Sequence, residues 1–188
     1  MPAEVAAKYE MGLTPDEFAG RMSRNRDKYE DWYQRFSWMN EEDKTYFTTA
    51  RQDDLRCVVI AADWCGDVVR NVPVVLRVLE AAGIPVRLLV MEQHLDLIDH
   101  YLVMGGRSIP VVLFINTVGA VVGRWGPRPR DVQEVMERFK ETFPQADVSG
   151  YDDALKAARS EMMTRYGEGT AYQGRIVQEL RLLLQSLT

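Results

Sequence analysis

The stretch CVVIAADWCGD, residues 57–67, decides the fold of this chain. Its first six residues form an apolar run that is typical of a buried strand, and the residues from Gly66 onward have the pattern of a helix. Cys65 therefore lies at the N-terminus of a helix, where unpaired N–H groups and the helix dipole stabilise a thiolate. Because the thiolate is the nucleophilic form of cysteine, this position predicts chemistry at Cys65.

Composition limits the class of protein. The chain has 188 residues, 46% of them apolar and 27% charged, which suits one globular domain with additional helices. A net charge of −5 without a basic stripe argues against nucleic acid as a partner. No apolar run approaches the roughly 18 residues of a membrane span, so no membrane partner is expected. The polar segment 1–11 does not resemble a signal peptide, and with two cysteines in the chain we expect a cytoplasmic, reducing location.

The two cysteines, Cys57 and Cys65, are not expected to form a disulfide. They are eight positions apart, and most of that interval is predicted strand. Five strand steps alone span roughly 16 Å, whereas a disulfide requires Cα atoms within about 7 Å. Cys57 is instead predicted to be a small residue of the core.

Hydrophobic periodicity predicts the order β-α-β-α-β-β-α for the middle of the chain. The predicted strands are residues 56–62, 86–91, 111–116 and 120–124, and the helices between and after them are residues 66–82, 95–104 and 129–143. The βαβ order of the first half requires a parallel pair of strands. Further helices are predicted over residues 14–38, 40–52, 151–166 and 171–187, the first of them opened by a capping box of Thr14 and Glu17.

These elements predict three parts of the chain. They are an N-terminal helical extension (residues 1–53), an α/β core (residues 54–143) and a C-terminal helical extension (residues 144–188). The leucine-rich segment near the C-terminus consists of Leu180, Leu182, Leu183, Leu184 and Leu187, and its apolar side chains must be buried. The extensions are therefore expected to pack on the core or across a homodimer.

The order of elements and three local features resemble the thioredoxin family. Trp64-Cys65-Gly66 matches the start of that family's Trp-Cys-Gly-Pro-Cys motif, and Pro73 falls where its members kink the following helix. The segment SIP, residues 108–110, is similar to the family's cis-proline loop. The resemblance covers about half of the chain and implies a thioredoxin-like α/β fold with a mixed central sheet. With the segments GGRSIP and WGPRP, the longer pattern is similar to a bacterial thioredoxin-like subfamily with helical extensions.

Two departures from the family pattern bear on activity. Val68 stands where the family has its second cysteine, and Val59 stands where it has a buried acid that assists that second thiol. A dithiol cycle within one molecule is therefore not expected. The resemblance then implies one catalytic cysteine, Cys65, that exchanges with a protein disulfide or a glutathione-type thiol and needs no cofactor. His94 and His100 are six positions apart and share no helix face, so no metal site is predicted.

The resemblance also implies a binding groove around Cys65, formed by Trp64, Gly66, Asp67, Arg107, Ile109, Pro110 and Trp125. Asp67 is either a first-turn carboxylate that stabilises the helix or a group that opposes thiolate formation or moves protons. Arg107 either lowers the thiol pKa and holds a ligand carboxylate, or is a solvated loop residue. Trp64 and Trp125 either form an aromatic peptide-binding surface or pack under the added helices. A cis bond before Pro110 is implied by the family alone, since the local sequence allows trans equally.

Two functions from different classes follow from the sequence. The first is monothiol thiol–disulfide exchange through Cys65, in which an external thiol resolves the mixed disulfide. The second is a non-catalytic binding module that holds a peptide or protein partner through the groove and the added helices.

Overall fold

The computed structural model describes residues 2–50 and 52–187, and for residues 2–4 it describes the backbone only. The helices in these ranges are α1 (Pro2–Met11), α2 (Pro15–Arg21), α3 (Arg26–Gln34), α4 (Glu41–Thr49), α5 (Gly66–Ala81), α6 (Leu95–Ile98), α7 (Arg130–Thr142), α8 (Tyr151–Tyr166) and α9 (Ala171–Ser186). The strands are β1 (Arg56–Ala61), β2 (Val86–Val90), β3 (Val111–Ile115) and β4 (Val121–Trp125).

The four described strands form one mixed sheet in the order β2-β1-β3-β4. β1 runs parallel to β2, with Cys57 opposite Val86, and antiparallel to β3, with Cys57 opposite Phe114. β3 and β4 form an antiparallel hairpin. The α/β fold class and its mixed sheet are thus confirmed. β1 and β3 lie inside the sheet and under helices, and their apolar side chains are buried.

Helix α5 places the candidate cysteine. It begins directly after the loop that leaves the C-terminal end of β1, with Cys65 as its N-cap, and it continues through Pro73 to Ala81. One side of α5 is fully buried and carries Val68, Val72, Val75 and Leu79 among others. Because this apolar face fixes the helix against the sheet, the position of Cys65 is set by the core rather than by a loose loop.

The helical extensions pack against the core of the same chain. α3 contacts α5, and α9 contacts α4, α5 and β4. Of the leucine-rich segment, Leu180 and Leu184 are buried, whereas Leu182 is exposed. The segment is therefore largely covered within one chain. Among the residues that the structure describes, no helix combines the length and the apolar character needed to cross a lipid bilayer.

Two predicted helices are wrong in extent. The helix expected over residues 14–38 is broken into α2 and α3, because Asp63 accepts hydrogen bonds from the backbone N–H groups of Ser23 and Arg24 at 2.8 and 3.0 Å. Asn25 then adopts a left-handed conformation with φ of 58°. The helix expected over residues 95–104 ends at Ile98, since the chain turns back to pair Val103 with Gly106.

Candidate functional site

The Cys65 thiol lies between the start of α5 and the loop that precedes β3. Its Sγ is 3.5 Å from the carbonyl oxygen of Ile109, to which the thiol donates. The backbone N–H groups of Asp67 and Val68, in the first turn of α5, lower the pKa of the thiol, although the sulfur accepts no capping hydrogen bond from the helix. The side chain is half-buried, and the adjacent Trp64 and Gly66 are exposed. This geometry gives one sulfur atom a helix N-terminus on one side and a carbonyl on the other.

The protonation state of Cys65 is set by opposing effects. Burial raises the pKa of the thiol, and the negative charge of Asp67 raises it further. The nearby backbone N–H groups of Val68 and Asp67, together with the positive charge of Arg128, lower the pKa of the thiol but do not reverse the shift. The start of the helix thus acts to lower the pKa of the thiol, but desolvation prevails. The pKa of the Cys65 thiol therefore lies above its usual value.

Asp67 is more than a helix-stabilising carboxylate. Its Oδ2 accepts from Arg128, with the guanidinium Nη2 at 2.8 Å, and its Oδ1 accepts from the Tyr166 hydroxyl at 2.8 Å. The Asp67 and Arg128 side chains are only 17% and 13% exposed, so solvent screens this pair weakly. Asn71 donates to the Tyr166 hydroxyl at 2.8 Å and to the Pro127 carbonyl at 3.1 Å. The carboxylate next to Cys65 is therefore held in place by two partners.

Sequence reasoning missed Arg128, Tyr166 and Asn71. Arg128 lies within the segment WGPRP, residues 125–129, whose one signal in the sequence is the family resemblance. Tyr166 is at the end of α8, far from the core in sequence, and no local pattern connects it with Asp67. A buried asparagine on the apolar face of α5 was the one available signal, since a buried amide requires hydrogen-bond partners.

Arg107 is engaged away from the thiol. Its guanidinium makes a bidentate ion pair with the Asp99 carboxylate, at 2.6 and 2.8 Å, on the surface after α6. Arg128, not Arg107, is the cation whose charge lowers the pKa of Cys65. The reason is local: Asp99 is eight positions before Arg107 and is exposed beside it.

Ile109 and Pro110 form the wall opposite Cys65. Both residues are buried, and the peptide bond between them is cis. Gly126 lies against this wall with φ of +104°, and a Cβ atom there would be 2.4 Å from the Pro110 carbonyl oxygen. This close approach requires glycine, so the Pro110 loop and the Gly126 turn fix each other's position.

The two tryptophans of the predicted groove have different environments. Trp64 is 47% exposed, and its indole N–H donates to Glu92 at 2.6 Å. Trp125 is 6% exposed, lies under α9 and donates to Glu179 at 2.7 Å. Trp125 therefore packs under the added helix and offers no open surface, while Trp64 remains accessible beside Cys65.

The two cysteines are free thiols, with Cys57 fully buried in β1. Within residues 2–50 and 52–187 no three histidine, cysteine or acidic side chains are grouped so as to hold a metal ion.

Comparison with known proteins adds a family and a fold. A sequence model of the family described as Thioredoxin matches residues 12–141. No curated protein matches the sequence. Two solved structures are similar: a protein of unknown function from Pseudomonas aeruginosa, with TM-score 0.68, 14% identity and 96% of each chain covered, and an HIV epitope-scaffold, with TM-score 0.66, 14% identity and coverage of 96% of this chain and 97% of that chain. At this identity the two structures show a shared fold and nothing of activity.

Proposed function

The chain belongs to the thioredoxin family, and from that premise we propose that it carries out monothiol thiol–disulfide exchange through Cys65. The observation that carries the proposal is the position of the Cys65 sulfur, half-buried at the N-terminus of α5 and facing the Ile109 carbonyl. The nearby backbone N–H groups stabilise the thiolate form of this sulfur. The sulfur also lies beside an exposed surface that includes Trp64 and Gly66. These features favour attack by the thiolate form of Cys65.

The exchange takes place in two balanced displacements. Cys65 first loses its proton to solvent, and the thiolate attacks one sulfur of a substrate disulfide, which forms a mixed disulfide and releases the other half as a thiolate. An external thiolate then attacks the substrate sulfur of that mixed disulfide, which releases Cys65 and yields a new disulfide. No net oxidation of the protein occurs in the complete cycle.

The second thiol must come from outside the protein. Val68 occupies the position of a resolving cysteine and is fully buried in the core. Cys57, the other cysteine of the chain, is fully buried in β1, and burial raises the pKa of its thiol far above the usual range. A glutathione-type thiol of a reducing, cytoplasmic setting is the co-reactant that we propose, and a protein disulfide or a glutathione mixed disulfide is the substrate class.

Substitution of each cysteine in turn distinguishes a catalytic role from a structural one. Reduction of 2-hydroxyethyl disulfide by glutathione is measured for the wild-type protein, for Cys65→Ser and for Cys57→Ala, with mass spectrometry of the protein during turnover. We expect a glutathione adduct and activity in the wild-type protein and Cys57→Ala, and neither in Cys65→Ser. Activity that persists in Cys65→Ser rules out the proposal.

One observation favours the alternative, a non-catalytic binding module. Burial and the Asp67 charge, which Arg128 and Tyr166 hold in place, both raise the pKa of Cys65 and reduce its nucleophilicity at neutral pH. The rate of alkylation of Cys65 by iodoacetamide, measured from pH 6 to pH 10 in Cys57→Ala, discriminates the two functions. A thiol pKa below the free-cysteine value of about 8.5 supports exchange. A higher pKa, or a thiol that stays unreactive across this range in the folded protein, supports a binding module.

A further inference from the structure

A cavity of about 560 Å³ lies beside the Cys65 loop, between α3, the first turns of α5 and α8. Trp64, Gly66 and Asp67 belong to its wall, so the cavity adjoins the exchange site without including the sulfur among its lining residues. Its volume falls within the roughly 300–1,000 Å³ of sites that hold small molecules. The space is therefore suited to a compact ligand rather than to an extended chain.

The lining of this cavity is strongly basic in a protein of net charge −5. Lys28, Arg70, Arg128 and Arg159 line it, and Asp67 is the one carboxylate among its lining residues. Asp67 is already paired with Arg128. The cavity thus carries an excess of positive charge that no side chain of its own lining neutralises.

Three of these cations have no acidic partner in the part of the chain that the structure describes. Lys28 and Arg159 make neither an ion pair nor a side-chain hydrogen bond there. Arg70 lies against the rings of Trp32 and Tyr166, at 4.7 and 4.9 Å, and donates to the Gly167 carbonyl at 3.1 Å. Because like charges that share a cavity repel one another, an anion bound between them relieves that repulsion.

The same cavity offers apolar surface next to the cations. Trp64 is 47% exposed and Met163 is 54% exposed, and both line the space together with Trp32 and Met162. Aromatic rings and methionine side chains of this kind favour a flat apolar group. We propose that the cavity is a binding site for a small organic anion that combines two or more negative charges with a flat apolar part. The site stands independently of the reactivity of Cys65.

Calorimetric titration of the Cys65→Ser protein tests this site in the absence of exchange chemistry. 1-Naphthyl phosphate is the probe, because it joins a doubly charged phosphate to a flat ring, and 1-naphthol and inorganic phosphate are its two separate halves. We expect saturable binding of 1-naphthyl phosphate that is tighter than that of either half and that weakens as salt is added. Absence of binding at millimolar probe, or equal binding of 1-naphthol, overturns the proposal.

Substitutions that remove single positive charges from the cavity wall test where the probe binds. Arg159→Gln and Lys28→Gln are each expected to raise the dissociation constant of 1-naphthyl phosphate by about twofold to fivefold, as for exposed charge pairs. Lys156→Gln is the matched control, since it removes the same charge from an exposed position of α8 outside the cavity lining. An equal loss of affinity in Lys156→Gln also contradicts the proposed site.

The two proposals fail independently of each other. If the protein binds 1-naphthyl phosphate but has no exchange activity, only the proposed function is contradicted. If it has exchange activity but does not bind the probe, only this inference is contradicted.

Discussion

The hydroxyl of Tyr166 donates a hydrogen bond to Asp67 Oδ1 at 2.8 Å, across 99 positions of sequence. The contact joins the end of α8 to the first turn of α5, next to Cys65. Burial raises the pKa of Tyr166 well above its usual value, and the charge of Asp67 adds to the shift, so the hydroxyl keeps its proton. The C-terminal helices therefore hold the carboxylate that opposes ionisation of the thiol.

Asp67→Asn is expected to lower the pKa of Cys65. The thiol pKa is raised first by burial and then by the Asp67 charge, and the amide removes the second of these effects. Alkylation of Cys65 near neutral pH becomes faster, while the broken ion pair with Arg128 lowers the free energy of unfolding by about 1–3 kcal/mol. The measurement is the pH dependence of iodoacetamide alkylation, with unfolding by urea for stability.

Asp63→Asn is the matched control for this change. It removes a negative charge from the same loop, yet Asp63 is not among the groups that shift the Cys65 pKa. Its alkylation profile should follow that of the wild-type protein. A thiol pKa that is unchanged in Asp67→Asn, or lowered equally in Asp63→Asn, contradicts the role assigned to Asp67.

Tyr166→Phe is expected to affect stability rather than the titration of Cys65. The change removes the hydroxyl that serves both Asp67 and Asn71, and the free energy of unfolding should fall by about 1–3 kcal/mol. Asp67 stays paired with Arg128 beside Cys65, so the alkylation profile of the thiol should stay in place. Tyr172 donates its hydroxyl only to the Arg70 carbonyl, so Tyr172→Phe is expected to lose less unfolding free energy. An equal or larger loss in Tyr172→Phe speaks against the network around Asp67.

Gly126→Ala is expected to destabilise the protein severely. The new Cβ atom would lie 2.4 Å from the Pro110 carbonyl oxygen, at a backbone φ of +104° that disfavours side chains. A loss of about 3 kcal/mol or more in unfolding free energy follows. Gly20→Ala in α2 is the control, since no atom lies within 4 Å of its added Cβ. That change should stabilise the protein by about 0.5–1 kcal/mol, and a mild effect of Gly126→Ala would refute the close contact.

Glu179→Ala is expected to loosen α9 from the core. The carboxylate accepts from the indole N–H of Trp125 and from the backbone N–H of Arg130, each at 2.7 Å. Its removal leaves the buried indole N–H of Trp125 unpaired, which should lower the free energy of unfolding by about 1–3 kcal/mol. Gln178→Ala, at the neighbouring exposed position of α9, should change the unfolding free energy little. Unfolding by urea followed through tryptophan fluorescence compares the two variants.

Acid should selectively weaken the link between Asp63 and residues 23–25. Partial burial raises the pKa of Asp63, but hydrogen bonds from Ser23 and Arg24 outweigh it and hold the pKa below its usual value. A lowered folded-state pKa contributes stability above the unfolded value of about 3.9, which is lost as pH falls through the folded value. Asp63→Asn should therefore be less stable than the wild-type protein at pH 7, with a smaller difference at pH 3. A difference that does not change with pH contradicts the link.

The strands and most of the helices were predictable because their signals are local, whereas the mixed sheet was implied by the family resemblance. Apolar runs bounded by glycine and proline placed β1, β2, β3 and β4 to within a residue or so, and Thr14 with Glu17 forms the capping box that its spacing indicates. The break between α2 and α3 was not predictable, because the acceptor of Ser23 and Arg24 is Asp63, about forty positions away. Sequence periodicity contains no information about such a distant hydrogen bond.

By itself, the sequence determined that one cysteine stands at the start of a helix after a buried strand and that Val68 stands where the family has its second cysteine. Only the tertiary structure decided the direction in which the pKa of that cysteine shifts. A pKa depends on burial and on charges in space, and here the deciding charges are Asp67 and the distant Arg128, with Tyr166 holding the former. The same folding brings Lys28, Arg70 and Arg159 to one cavity from three separate helices, which no linear pattern predicts.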